Sequence, residues 1–173
     1  MSAKVPVLVI SGSMGSGKTT VLSEASDLLA EAQIAHAAID LDCLGVSYPQ
    51  QGQHGDQLMF ANFAAVWPVY AAAGARRLLV ACVVEDRAEL RRYREAVPGA
   101  DIVVCRLTAS VETMQERIRV REPGMFQAQF IARSAELAGI LERTKAEDFT
   151  VANGGGQRVT EVAREVLARA GWL

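Results

Sequence analysis

Residues 12–19 read Gly-Ser-Met-Gly-Ser-Gly-Lys-Thr, the G-x-x-x-x-G-K-T pattern of a phosphate-binding loop. Glycines let such a loop turn its backbone N–H groups inward and approach a polyphosphate closely. The helix after the loop adds unpaired N–H groups and a partial positive charge, which suit an anion. We expect Lys18 to reach the terminal phosphates and the Thr19 hydroxyl to ligate Mg²⁺. The residues predicted to contact the nucleotide here are Gly12, Ser13, Met14, Gly15, Ser16, Gly17, Lys18, Thr19 and Thr20.

Asp40 and Asp42 close the second predicted strand, 36–41. Two residues apart on a strand, their side chains would point to the same face. Ligands of open α/β sheets bind beyond the carboxyl ends of the strands, so these carboxylates are candidates for catalysis near the loop. One could orient or deprotonate an attacking hydroxyl, and one could hold Mg²⁺ directly or through water. The alternative is a polar strand end in which Asp42 caps a turn.

Glu85 and Asp86 close the third predicted strand. A carboxylate at this position is a candidate partner for Mg²⁺, and Glu85 is the stronger of the two because Asp86 has another role open to it. Asp86 with Glu89 forms the sequence pattern of a helix-capping pair. Whether Asp40 and Asp42 or Glu85 and Asp86 support the metal stays open at this stage.

Arg117 and Arg121 lie four residues apart near the end of a predicted helix and therefore on one side of it. Paired guanidinium groups there could neutralise charge on a transferred phosphoryl group, or they could belong to a solvated face. A Pro-Gly pair follows, so 117–130 is the predicted lid. After the last strand, Asn153 and Gly154 could wrap an adenine through backbone contacts or simply form a strand-to-helix turn.

Alternating strands and helices predict a parallel sheet covered by helices on both faces. The predicted strands are 4–11, 36–41, 78–84, 101–107 and 148–152, and the best-defined helices are 17–33, 56–73 and 126–146. Asp56 is expected to cap the second helix, Pro68 could kink or split it, and Gly74 is placed to end it. Ser110 is expected to cap the helix that carries the arginines.

The composition is that of one globular domain, 1–173, with 50% hydrophobic residues and a formal net charge of −2. The weak negative charge argues against a nucleic-acid partner. Three cysteines without a C-x-x-C pair are expected to be buried, reduced thiols, which fits a cytoplasmic protein. We expect no membrane association, because no apolar stretch is long enough to span a bilayer. The oligomeric state cannot be read from the chain.

Weaker signals concern an acceptor pocket and the histidines. Tyr48, Trp67 and Arg87 could line such a pocket by position alone. His36 and His54 are expected to be structural or surface groups.

With these residues in view, the chain resembles the small P-loop kinases related to shikimate, gluconate and adenylyl-sulfate kinases and to chloramphenicol phosphotransferase. The resemblance spans nearly the whole chain and includes Ile-Asp-Leu-Asp at 39–42, the arginine stretch 117–122 and the final Gly-rich loop. It implies a five-stranded parallel sheet in the order 2-3-1-4-5, ATP and Mg²⁺, and a lid carrying arginines. It also implies an acceptor hydroxyl served by an aspartate of the second strand, here Asp42 or Asp40.

The chain departs from two subfamilies. It lacks the D-G-[FY]-P-R stretch of adenylate kinases, and Val-Val-Glu-Asp at 83–86 replaces the Gly-rich acceptor motif of shikimate kinases. The leading hypothesis is an ATP-dependent kinase for a small hydroxyl compound. The alternatives are a nucleotide-binding ATPase or regulatory protein without transferase activity, and a nucleotide kinase. A GTPase is disfavoured because no N-K-x-D motif is present.

Overall fold

A parallel sheet forms the centre of the computed structural model, which describes residues 4–48 and 55–173. Its five strands pair in the order β2-β3-β1-β4-β5, which confirms the predicted topology. The strands are β1 (Val5–Ser11), β2 (His36–Asp40), β3 (Arg77–Ala81), β4 (Ala100–Thr108) and β5 (Phe149–Ala152). All four pairings are parallel, so the carboxyl ends of the strands lie along one edge.

Helices cover both faces of this sheet. They are α1 (Lys18–Glu31), α2 (Gly55–Ala72), α3 (Leu90–Ala96), α4 (Val111–Arg121), α5 (Gln127–Thr144) and α6 (Val159–Arg169). Short 3₁₀ turns, Leu41–Leu44 and Arg87–Glu89, follow β2 and precede α3. No helix in the described part of the chain is long and apolar enough to cross a membrane.

Alternating residues of the central strand β1 serve two separate apolar layers, as the period of a strand requires. Val7 and Val9 pack in the layer that α2 and α3 complete, which includes the fully buried Phe63. Leu8 and Ile10 pack in the layer that α1 and α6 complete. A strand buried on both faces must be apolar throughout, which is why β1 and β3 show no polar alternation.

Several predicted helix ends are confirmed by their hydrogen bonds. Asp86 and Glu89 form a capping box, in which the Ala88 N–H donates to Asp86 Oδ1 and the Asp86 N–H donates to Glu89 Oε1. Ser110 Oγ accepts from the Thr113 N–H at the start of α4. Gly74, with φ +106°, follows the end of α2.

Other predicted boundaries are wrong. β2 ends at Asp40, and Asp42 lies in the 3₁₀ turn because the Asp40 carboxylate accepts from the Asp42 N–H and favours a turn over an extended strand. β3 ends at Ala81 instead of Val84. Asp56 lies in the first turn of α2 rather than before it, and Pro68 lies inside α2 without splitting it.

The cysteines are also only partly as predicted. Cys82 and Cys105 are buried, whereas Cys43 is exposed on the 3₁₀ turn. Burial raises the thiol pKa of Cys82 and that of Cys105 to about 12, so both stay protonated and unreactive at neutral pH.

Candidate active site

The phosphate-binding loop connects β1 to α1 at the carboxyl edge of the sheet. Gly15 and Gly17 have φ values of +81° and +94°, which favour glycine. A Cβ on Gly15 would collide with the backbone carbonyl of Met114 in α4, and one on Gly17 would collide with the Asn153 side chain. Gly17 caps the N-terminus of α1, so the helix directs its first N–H groups at the loop.

Helix α5 holds the loop from the other side through a serine that sequence reasoning missed. Ser13 Oγ donates to the Ser134 carbonyl at 2.7 Å, and Ser134 Oγ donates to the Met14 carbonyl at 2.9 Å. Ser134 is completely buried. The available signal was its spacing, because Ser134 falls on the apolar stripe formed by Phe130, Leu137 and Leu141.

Ser16 lies at the bottom of the loop and is also completely buried. Its hydroxyl has no hydrogen-bond partner among the described residues. Buried hydroxyl groups are nearly always partnered, so this one fits a loop that binds a ligand oxygen.

The Lys18 ammonium group folds over the same loop, with Nζ donating to the Gly12 carbonyl at 3.0 Å and to the Ser13 carbonyl at 3.3 Å. Burial lowers its pKa, while the carboxylates of Asp42 and Asp40 counteract that decrease. The ammonium group therefore binds the loop carbonyls and interacts electrostatically with two acidic side chains.

Thr19 and Asp40 form the pair with the chemistry of a Mg²⁺ site. Thr19 Oγ1 donates to Asp40 Oδ2 at 2.6 Å. Mg²⁺ in phosphoryl-transfer sites takes one or two protein oxygens and completes its shell with phosphate and water, so this pair fits. Within residues 4–48 and 55–173, no three His, Cys, Asp or Glu side chains cluster as a site built by protein alone would need.

Asp42 faces a different space. Burial raises the pKa of its carboxyl, and the Asp40 carboxylate raises it further, while Lys18 lowers it. Asp42 lines a cavity of about 470 Å³ beyond the end of β3, called here the carboxylate cavity. Its polar lining residues include Asp42, Asp56, Glu85, Glu89, Arg92 and Tyr93. Asp40 and Asp42 thus differ in surroundings, although the strand pattern predicted one shared face.

Glu85, predicted as a metal ligand, accepts from Arg133 of α5 at 2.8 Å. This ion pair connects the segment after β3 to α5, another contact that sequence reasoning missed. No contact of Glu85 involves Thr19 or Asp40 among the hydrogen bonds of the described residues, so its metal role stays a prediction.

Arg117 connects the phosphate-binding loop to the loop after β5. Its two terminal nitrogens donate to the Gly15 carbonyl at 3.1 Å and to the Asn153 carbonyl at 2.9 Å. Asn153 Nδ2 donates in turn to the Ser16 carbonyl at 2.8 Å. These contacts give Arg117 a positioning role, and a contact with a phosphoryl group would require its hydrogen bonds to exchange.

Arg121 lies one helical turn beyond Arg117 on α4 and has its Nε 3.1 Å from Glu122 Oε1. Its charge lowers the pKa values of both Lys18 and Asp42. A second cavity of about 460 Å³ lies between the loop and α4, called here the arginine cavity. It is lined by Gly15, Gly17, Thr20, Glu116, Arg117, Val120 and Arg121, whereas Gly154 does not line it.

The weaker predictions fare differently. Trp67 is buried in the core, Tyr48 is almost fully exposed, and Arg87 forms an ion pair with Asp148 at 3.0 Å, so none of them lines the carboxylate cavity. Position in the sequence could not show which side chains line the cavity, because that depends on how each side chain packs against its neighbours. His36 has the expected structural role, with hydrogen bonds to Ser26 and Ile34. His54 lies outside the described residues.

Comparison with solved structures identifies similar folds over nearly the whole chain. A gluconokinase from Sinorhizobium meliloti is 22% identical with a TM-score of 0.61, covering 98% of this chain and 94% of that one. The tunicamycin resistance protein of Deinococcus radiodurans is 20% identical with a TM-score of 0.65, covering 98% of each chain. A shikimate kinase from Bacteroides thetaiotaomicron is 14% identical with a TM-score of 0.63, covering 98% and 99%.

No protein-family model and no curated protein sequence matches the chain. The structural neighbours nevertheless include several small-molecule kinases, and the resemblance to the P-loop kinases is confirmed for the fold.

Proposed function

Because the chain has the fold of the P-loop small-molecule kinases, we propose that it transfers the γ-phosphoryl group of ATP to a hydroxyl group of a small acceptor. One observation carries the proposal. The Asp42 carboxylate borders the carboxylate cavity and interacts electrostatically with Lys18 of the phosphate-binding loop. A base between a phosphate loop and a small-molecule cavity is the arrangement that phosphoryl transfer to a hydroxyl requires.

On the donor side, the loop amides and the N-terminus of α1 bind the polyphosphate, and Lys18 turns from the Gly12 and Ser13 carbonyls to the phosphates. The unpartnered Ser16 hydroxyl supports a ligand in this loop. The arginine cavity and the Asn153 loop hold the nucleotide base. Arg117 lines that cavity and donates to the Asn153 carbonyl, so it positions the loop relative to the cavity.

Thr19 and Asp40 hold Mg²⁺, directly or through water. When bound, the ion neutralises charge on the phosphate oxygens. The 2.6 Å contact between Thr19 Oγ1 and Asp40 Oδ2 supports this assignment, because it brings together two hard oxygen ligands beside the loop.

On the acceptor side, Asp42 accepts the proton of the acceptor hydroxyl. The hydroxyl oxygen forms a bond to the γ-phosphorus while the bond from that phosphorus to the β–γ bridging oxygen breaks, and ADP leaves. Arg121 approaches the phosphoryl group from α4 and stabilises its charge. We further propose that residues 1–173 form one domain in which 117–130 acts as a lid.

Calorimetric titration with ATP and Mg²⁺ tests the donor half. We expect the wild type to bind and Lys18→Ala to lose most of its affinity, because the ammonium group no longer offsets the phosphate charge. Lys4→Ala is the matched control, since Lys4 is exposed and pairs with Asp101 at 3.2 Å on another part of the surface. Absence of ATP binding by the wild type, or unchanged binding by Lys18→Ala, would overturn the proposal.

A further inference from the structure

The lining of the carboxylate cavity carries an excess of negative charge. Four of its lining side chains are carboxylates, Asp42, Asp56, Glu85 and Glu89, and one is a cation, Arg92. The protein as a whole is nearly neutral, with a formal net charge of −2. The charge of the cavity is therefore a local property, and it bears on which compounds can enter.

Ion pairs account for only half of these carboxylates. Arg92 Nη1 lies 3.2 Å from Asp56 Oδ2, and its guanidinium group lies over the Phe60 ring at 5.7 Å. Glu85 pairs with Arg133 at 2.8 Å. Both cations therefore already pair with a carboxylate of the cavity, and Arg133 also pairs with Glu136 at 3.1 Å.

Asp42 and Glu89 have no salt-bridge partner among the described residues. Glu89 uses one oxygen, Oε1, to accept from the Asp86 N–H at 3.1 Å. Burial raises the pKa of the Glu89 carboxyl, and the Glu85 and Asp56 charges raise it further. A partly buried carboxylate beside two others is stabilised by a ligand cation and destabilised by a ligand anion.

A separate observation indicates that a ligand belongs here. Tyr93 is 1% exposed, and its hydroxyl lies beside the Cys82 thiol, a weak hydrogen-bonding group, and has no well-aligned hydrogen-bond partner among the described residues. Burial and the neighbouring Cys82, Glu89 and Asp42, which all line the cavity, raise the pKa of the hydroxyl well above its ordinary value. It therefore remains a neutral group able to donate or accept one hydrogen bond, which a polar group of a ligand in the cavity would supply.

The remaining lining residues give the cavity an apolar side. Met59 and Phe60 of α2 line it, as does Val83. The Phe60 ring meets the Tyr93 ring edge-on, with centroids 5.1 Å apart. A ligand that fits has one apolar face and a polar edge.

From this arrangement we infer that the acceptor is a small hydroxyl compound that carries an ammonium group and an apolar ring or chain. The inference rests on the proposed function for the role of the hydroxyl, and it selects against sugar acids and other carboxylates. The ammonium group lies near Glu89 and the Tyr93 hydroxyl, and the reacting hydroxyl lies near Asp42.

Three matched probes test the charge preference. They are cyclohexanols that carry, opposite the hydroxyl, an ammonium, a second hydroxyl or a carboxylate group. Their binding to the full chain is measured by ligand-observed NMR at millimolar concentration, without nucleotide and again with ADP and Mg²⁺. We expect the ammonium compound to bind at least about tenfold more tightly than the carboxylate compound, a difference of about 1.4 kcal/mol.

Three variants locate the effect. Glu89→Gln keeps an oxygen for the Asp86 N–H and should weaken binding of the ammonium compound several-fold without changing binding of the diol. Tyr93→Phe should weaken binding while leaving thermal stability unchanged or higher, because it removes a buried hydroxyl that lacks a well-aligned partner. Glu95→Gln on the same helix is the matched control, since Glu95 is exposed and pairs with Arg91.

Preference for the carboxylate or the diol, no binding of the ammonium compound, or no effect of Glu89→Gln overturns the inference. These outcomes do not depend on the titration with ATP. If ATP binds and the carboxylate probe is preferred, only the inference about the acceptor fails. If ATP does not bind and the ammonium probe does, the proposed function fails while the charge preference stands.

Discussion

Asp42 is the residue on which the proposed chemistry depends most directly. The pKa of its carboxyl is affected by the charges of Lys18 from α1, Asp40 from β2, Asp56 from α2 and Arg121 from α4. Burial dominates and raises the pKa of the carboxyl. Since the ionised form is the base, activity should fall as the pH decreases through this raised pKa, at a higher pH than for an ordinary aspartate.

Replacing Asp42 by Asn separates the contribution of its carboxylate to catalysis from its effect on stability. We expect Asp42→Asn to lower kcat by at least about a hundredfold with an acceptor that stimulates ADP release, and to leave ATP affinity nearly unchanged. Because the pKa of this carboxyl is raised only in the folded protein, the free energy of unfolding decreases as the pH rises through that pKa. The neutral amide should therefore unfold at the same or a higher denaturant concentration at neutral pH.

The matched control is Asp101→Asn, because Asp101 is an exposed aspartate that pairs with Lys4. Steady-state kinetics across pH and urea denaturation at neutral pH provide the two measurements. Turnover by Asp42→Asn at the wild-type rate would remove Asp42 from its role as the base.

At the scale of elements, several contacts attach α5 to the rest of the site, among them the Arg133–Glu85 pair. Ser134 binds the phosphate-binding loop, and Arg106 of β4 lies between Glu142 of α5 and Glu147, with both ion-pair distances at 3.0 Å. Arg106 is 8% exposed, and the Glu147 side chain is 9% exposed. The Arg106–Glu147 pair is therefore a buried ion pair, whose loss leaves a charge without compensation.

Removing one partner of the Arg106–Glu147 pair should lower the free energy of unfolding much more than replacing both partners. We expect Arg106→Gln to lower the free energy of unfolding by about 3–5 kcal/mol, because Glu147 becomes an unpaired buried carboxylate. The double variant Arg106→Met/Glu147→Gln should recover most of that loss, as measured by urea denaturation.

Arg91→Gln provides the comparison for an exposed pair. Arg91 and Glu95 lie on α3 at a distance of 3.2 Å, with both side chains largely solvated. Loss of the Arg91–Glu95 pair should lower the free energy of unfolding by about 0.3–0.5 kcal/mol. Equal effects of Arg106→Gln and Arg91→Gln would show that the buried pair is not needed for stability.

At the scale of the whole molecule, local sequence patterns predicted the fold better than the site. The apolar runs of β1 and β3, the capping pair Asp86–Glu89 and the loop glycines each act through neighbouring residues, so sequence alone reveals them. The contacts of Ser134 with the loop join residues 120 or 121 positions apart, and no local pattern encodes them. The same holds for the charge of the carboxylate cavity, which α2, α3 and the ends of β2 and β3 assemble.

The two apolar layers share one sheet, so the molecule should unfold as one cooperative unit. Leu29 of α1 lies in one layer and Phe63 of α2 in the other, and both are completely buried. We expect Leu29→Ala to cost about 2–5 kcal/mol and Phe63→Ala about 3–5 kcal/mol. For a domain of this size, each kcal/mol lowers the melting temperature by about 2–4 °C.

Differential scanning calorimetry distinguishes one unit from two. If β1 couples the layers through Val7, Leu8, Val9 and Ile10, each variant shifts the same single transition and no second peak develops. Val120→Ala on α4 is the control, since Val120 is 86% exposed and should leave that transition in place. A variant that splits the transition would show that the faces of the sheet unfold separately, and the proposal of one domain over residues 1–173 would fail.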